Sequence, residues 1–175
     1  TVNLYLPPVT YEEPVVIHSR SFNLIGSQSE EGRTTFTSGI QMRDSLYGIS
    51  YISDIDFIGD GTGVAISAAS TVWTKNCRFE GWKTALLGFG NVWINTTDCT
   101  FENNGIGLHW NSTDVTATDS HYTGNIFRGN DTAVLLEQVS TDTVLNFGQC
   151  VFENNETDLD NRCSQPLDLS EAEFR

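Results

Sequence analysis

Positive charge is the scarcest thing in this chain. Its 175 residues carry 9 Lys and Arg against 23 Asp and Glu, a formal net charge of -14, and lysine occurs only at Lys75 and Lys83. There is no basic cluster of the kind that phosphate contacts require, which argues against nucleic acid as a partner. An acidic surface also repels polyanionic glycans unless a cation bridges them, and leaves neutral sugars, proteins and cations as candidate partners. No run approaches the roughly 20 apolar residues of a membrane span, so membrane insertion is not expected. Nor does a charged start precede an apolar stretch; a signal peptide is expected to have been removed or to lie outside this part of a longer, multidomain protein. Proline is sparse, with 4 residues against 15 glycines, which suits many turns and opposes a collagen-like or disordered chain. The four cysteines have no zinc-finger spacing.

Phenylalanine recurs instead. Five six-residue windows, IDFIGD (55–60), CRFEGW (77–82), CTFENN (99–104), NIFRGN (125–130) and CVFENN (150–155), place Phe57, Phe79, Phe101, Phe127 and Phe152 at intervals of 22 to 26 residues. A period in this range marks stacked repeats. Two residues after each phenylalanine stands Gly59, Gly81, Asn103, Gly129 or Asn154, the residue types that most readily adopt positive φ, so a left-handed corner is predicted there. Further on, Thr62/Val64, Thr84/Leu86, Ile106/Leu108, Thr132/Val134 and Thr157/Leu159 keep the period-two spacing of a strand. Such short strands cannot bury an apolar face alone; stacked about 4.8 Å apart they form one continuous core. The expected fold is all-β, a parallel β-solenoid of about six coils. Its predicted limits are an opening strand or N-terminal cap over 1–14, the helix over 15–163, and a tail or linker over 164–175 that leaves the repeat.

A coil of about 22 residues with a phenylalanine ladder and an Asn-rich corner resembles the right-handed parallel β-helix of the pectate-lyase-like superfamily, which implies a right-handed single-stranded parallel β-helix. The Phe-x-x-Asn pattern at Phe101/Asn104, Phe127/Asn130 and Phe152/Asn155 is also similar to repeats of bacterial surface β-helices and autotransporter passengers. The resemblance is to architecture and covers roughly residues 15–160. It implies a secreted or cell-surface, bacterial module. It also raises the alternative of a polysaccharide lyase or glycoside hydrolase, in which acidic calcium ligands work with a basic residue. Asp54, Asp56, Asp60 and Asp98 with Arg78 are the residues that would serve. Asp54, Asn76 and Asp98 share one register, and their oxygens suit calcium, but Asp and Asn are also ordinary turn residues. Calcium is thus a possible cofactor with Asp54 and Asp98 as its weak candidates, and no other cofactor is expected. The polygalacturonase and pectin methylesterase signatures are missing, which lowers the enzyme reading and leaves catalytic residues unassigned.

Register also assigns the remaining residues. Cys77, Cys99 and Cys150 fall in one inward row and read as free buried rungs, although Cys77 with Cys99, or Cys150 with Cys163 after a fold-back of the tail, leave a disulfide open. Glu80, Glu102, Arg128 and Glu153 stack on the outer surface, where neighbouring carboxylates reach glycosidase spacing automatically and a solvated charge ladder is the plainer reading. His18, His109 and His121 form no motif. Asn95, Asn111, Asn130 and Asn155 open Asn-x-Ser/Thr sequons that arise readily by chance in such a composition. The polar stretch 27–34 and a surplus over 113–122 read as excursions from the regular coil.

The strongest binding signal is aromatic. If Val72/Thr74 and Val92/Ile94 point inward, Trp73 and Trp93 point outward on successive coils, with Tyr51 22 residues before Trp73. Trp82 and Trp110 are expected to extend the strip. Exposed rings on a rigid rack stack on sugars or bury in a protein interface. The expected role is therefore an extracellular module, without catalysis, that binds a polysaccharide or cell-surface protein through Tyr51, Trp73, Trp93, Trp82 and Trp110. A structural spacer or adhesin segment is the third reading.

Overall fold

The computed structural model describes residues 2–43, 48–113, 121–139 and 143–175. All regular structure in it is β, and the strands stack in parallel as a solenoid of about seven turns with the architecture of a right-handed parallel β-helix. Each of the first five turns visits three sheets in order, and the later turns add strands to the second and third alone. Sheet A comprises Val2–Tyr5, Phe22–Ile25, Ser50–Ser53, Val72–Lys75 and Ile94–Thr97. Sheet B runs from Thr10–Tyr11 and Gly32–Phe36 through Ile55–Ile58, Arg78–Glu80, Thr100–Glu102, Ile126–Arg128 and Val151–Glu153 to Glu173–Phe174. Sheet C holds Val15–Ile17, Ile40–Met42, Val64–Ala68, Thr84–Gly90, Ile106–Ser112, Thr132–Gln138 and Thr157–Asn161.

The aromatic ladder forms the inner wall of sheet B, and it is longer than the five phenylalanines read from the repeat. Tyr11, Phe36, Phe57, Phe79, Phe101, Phe127, Phe152 and Phe174 stack ring on ring with centroids 4.8–5.6 Å apart. Offset stacking at this distance adds to the area that each ring buries. The count of six coils is corrected to about seven for this reason. Residues 164–175 do not leave the repeat: Glu173–Phe174 pairs with Val151–Glu153, and Leu167–Asp168 pairs with Leu145–Asn146. The opening residues likewise join the array, with Val2–Tyr5 paired to Phe22–Ile25 and Tyr11 stacked on Phe36.

Two kinds of left-handed corner recur along the solenoid. After the phenylalanine, Gly81, Asn103, Gly129 and Asn154 have φ between 54 and 74°, as the composition predicted. Gly59 departs from this pattern and is required for closeness: a Cβ there would lie 2.6 Å from the Gly81 carbonyl oxygen and 2.7 Å from the Trp82 ring. The second corner joins sheets A and B, where Asp54, Asn76, Asp98, Gly124, Gln149 and Glu171 all have φ between 50 and 72°. Left-handed backbone favours Asn, Asp and Gly because their short or absent side chains tolerate it.

Asparagine side chains run through the B-to-C corner as a hydrogen-bonded stack. The Asn104 Oδ1 accepts from the Trp82 backbone N–H at 2.9 Å, and Asn130 and Asn155 do the same for Asn104 and Asn130 at 3.0 and 2.9 Å. Each Nδ2 donates back to the carbonyl of the preceding coil's Phe79, Phe101 or Phe127. Buried backbone groups that the strand ladder leaves open at the corner are satisfied this way.

Candidate functional site

Register decides the fate of the expected aromatic strip. Trp73 pairs with Tyr51 on one side and with Asn95, not Trp93, on the other. Trp93 lies two residues short of the outward row, is 8% exposed, and packs edge-on against the fully buried Trp110 at 4.9 Å. Its indole Nε1 donates to the Asn95 Oδ1 at 3.2 Å. Trp110 faces inward between Gly88 and Leu136 and touches Tyr122, which stacks on Phe147; these rings fill a second interior cluster under the C-to-A corner. The Tyr122 hydroxyl donates to the Ile94 carbonyl, and burial pushes its pKa up.

Trp82 is also buried, for a different reason. It stands three residues after Phe79, in the register of the asparagine stack, and its Nε1 donates to the Phe57 carbonyl at 3.0 Å. The indole N–H thus replaces the amide N–H that Asn104, Asn130 and Asn155 supply in later coils. Trp82, Trp93 and Trp110 are withdrawn from the outward strip, because each fills the interior or a corner.

What remains outward on sheet A is Tyr51, 43% exposed, and Trp73, half-buried. Their ring centroids are 5.8 Å apart with the planes tilted by 31°. On its far side Trp73 stacks on His121 at 4.4 Å and 16°, while its Nε1 donates to the Thr97 hydroxyl at 3.1 Å. Both faces of the indole therefore have ring neighbours, and the row offers solvent mainly ring edges. Sequence reasoning left His121 unplaced because its offset from Asn95 is 26 residues, whereas Gly90 and Ser112 one strand earlier are still 22 apart. The surplus falls between Ser112 and His121, and 114–120 lie outside the described residues.

A groove opens where sheet C turns into sheet A. It has a volume of about 650 Å³ and is lined by Gln41, Arg43, Ser70, Thr71, Phe89 and Asn91 together with Met42, Ser67, Ala69 and Gly90. The chain makes this corner with only residues 69–71 and 91–93 in the two adjacent coils. Phe89 is 40% exposed and, among the described residues, has no ring neighbour. None of the six polar side chains lining the groove bonds to another group among the described residues. Ser70 is buried with its Oγ unpaired.

The acidic candidates are engaged elsewhere. Asn76 Nδ2 donates to the Asp54 Oδ1 at 2.7 Å, so Asp54, Asn76 and Asp98 form part of the left-handed corner. Among the described residues no three His, Cys, Asp or Glu groups converge as a metal site. Asp56 is clamped by Arg33 through two contacts of 2.7 Å. Asp60 takes hydrogen bonds from the Thr62 hydroxyl and N–H, which hold its carboxyl below the usual range. Arg78 reaches Glu80 at 2.5 Å and Glu102 at 3.4 Å, and Arg128 bridges Glu102 and Glu153 at 3.8 and 2.8 Å. His109 pairs with Glu137 at 2.7 Å on the outer face of sheet C.

All four cysteines are free thiols. Cys77, Cys99 and Cys150 are buried rungs, and burial raises Cys77 well above the ordinary thiol pKa and Cys150 to about 12. Of the sequon asparagines, Asn95, Asn130 and Asn155 have their carboxamides in the hydrogen bonds that shape the coils. No family model, curated protein or solved structure matches the chain.

Proposed function

We propose that this chain is an extracellular, non-catalytic β-helix module that binds carbohydrate at the C-to-A corner, with Phe89 as its platform and the Tyr51–Trp73–His121 row beside it. One observation carries the reading. Around the groove the polar side chains have no partner among the described residues and an aromatic ring is part-exposed, whereas on sheet B the carboxylates and asparagine amides are already engaged. Saccharide sites combine an aromatic surface with a few unengaged polar groups in this manner. Thr71 lies two residues before Trp73, so the groove and the ring row are continuous along the chain.

A glycan array probed with the intact chain tests the proposal, followed by assays for reducing ends and unsaturated products on every glycan bound. Binding without product supports it. Release of product from any polysaccharide would establish the lyase or hydrolase reading instead. The uninterrupted ladder from Tyr11 to Phe174 favours a rigid spacer as the second reading, and a chain that retains no glycan would point to it.

A further inference from the structure

We infer that the corner groove selects a single anionic group, such as a carboxylate, on an otherwise neutral saccharide, with Arg43 as the counter-charge and Phe89 beneath the sugar's apolar face. The inference rests on the carbohydrate reading and adds to it the charge class of the ligand.

Three observations support it. First, the chain has 23 Asp and Glu, yet none of those among the described residues lines the groove. The polar lining consists of one guanidinium, two carboxamides and three hydroxyls, a set rich in donors and free of fixed negative charge. Second, Arg43 is exposed and, among the described residues, has no carboxylate partner, a state it shares with Arg20, while Arg33, Arg78, Arg128, Arg162 and Arg175 are each ion-paired. A guanidinium matches a carboxylate in a two-point geometry that a neutral hydroxyl does not reproduce. Third, the buried Ser70 Oγ has no hydrogen-bond partner among the described residues, which is unusual for a buried hydroxyl and leaves a further donor and acceptor at the groove.

The rest of the molecule limits the ligand to one such charge. With a net charge of -14, a polyanion that runs along the solenoid meets net repulsion, which a single charged group seated at Arg43 avoids. Among the described residues the groove has no carboxylate with which a calcium ion could bridge to it. A singly charged saccharide is therefore favoured over both its neutral analogue and its polymer.

The probes are methyl glucuronoside, methyl glucoside and polyglucuronate, titrated by NMR and calorimetry at low and moderate salt, with and without chelator. The charged monomer is expected to bind at least about tenfold more tightly than the neutral one, as for a charge-assisted pair. Its affinity should fall with salt and ignore the chelator, while the polymer binds more weakly per residue and recovers as salt screens the repulsion. Arg43→Gln should abolish the preference for charge, Arg43→Lys should restore part of it, and Phe89→Ala should weaken both monomers. Equal affinity for the two monomers, tighter binding of the polymer, or a preference that survives Arg43→Gln in a folded variant would overturn the inference. Array hits unaffected by Arg43→Gln and Phe89→Ala would sink it while sparing the carbohydrate reading. No binding of any saccharide would sink both.

Discussion

The B-to-C corner and the C-to-A corner draw on similar residues and use them in opposite ways. At the first, Asn104, Asn130 and Asn155 direct their amides along the solenoid axis and close every hydrogen bond, over a wall of stacked rings. At the second, Asn91, Gln41 and Ser70 line a groove without partners among the described residues, and Phe89 is part-exposed. A stacked ladder satisfies its own groups and has little left to offer a ligand. Recognition is expected where the ladder stops, and the two corners should respond to mutation in opposite ways.

The largest effect is expected in the aromatic wall. Phe101 is fully buried between Phe79 and Phe127, and Phe101→Ala removes two stacking contacts and leaves a cavity that the rigid neighbouring coils cannot close. A loss of about 3–5 kcal/mol in urea unfolding is expected. A loss below about 1 kcal/mol would mean that the wall is not the core of the solenoid.

Asn130→Ala should come next. Its carboxamide accepts from the Asn104 N–H and donates to the Phe101 carbonyl, and both groups are left buried without partners. A cost of about 3 kcal/mol is expected from two such orphaned groups. Asn130→Asp discriminates further: it keeps the acceptor and removes the donor, so it should destabilise as well and should be rescued in part at low pH, where the carboxyl can donate.

A smaller and pH-dependent effect belongs to Cys150. The thiol donates to the Tyr122 carbonyl at 2.9 Å, and burial holds its proton to about pH 12, whereas the unfolded chain releases it near pH 9. The stability this represents is fully present below pH 9 and is lost as pH rises toward 12, at a slope approaching about 1.4 kcal/mol per pH unit. Cys150→Ala should lack that slope when unfolding is compared at pH 8 and pH 10. At pH 8 the half-buried Cys163 should be the first thiol to react with a disulfide reagent in the folded protein.

The same contrast separates what was legible in the sequence from what was not. Rungs repeat, so Phe57 to Phe152 and the Asn104/Asn130/Asn155 corner could be read from local pattern. Phe174 obeys the pattern too, 22 residues after Phe152, but its acidic flank disguised a coil as a tail. Tyr11 and Phe36 were hidden by irregular spacing around the antiparallel excursion of Gln28–Ser29 against Gly32–Phe36. The tryptophans were misjudged because alternation within a strand was applied across a corner. Trp93 is 20 residues from Trp73 where the coil needs 22, and Trp82 occupies an asparagine register. His121 and the groove depend on where coils lengthen and shorten, which local periodicity does not encode.

The smallest effect on stability should come from the residues proposed to matter most for binding. Phe89 is 40% exposed and Arg43 has no ion pair among the described residues, so Phe89→Ala and Arg43→Gln remove few internal contacts. Each should change unfolding free energy by less than about 0.5 kcal/mol, as surface substitutions generally do. Phe89→Ala could even raise solubility, since it deletes an exposed ring. Measured beside Phe101→Ala and Asn130→Ala, these variants form a direct contrast: the ladder residues should lose stability and the groove residues saccharide. A Phe89→Ala variant that unfolded several kcal/mol more easily would show its ring to be part of the core, and the open platform on which the groove depends would be gone.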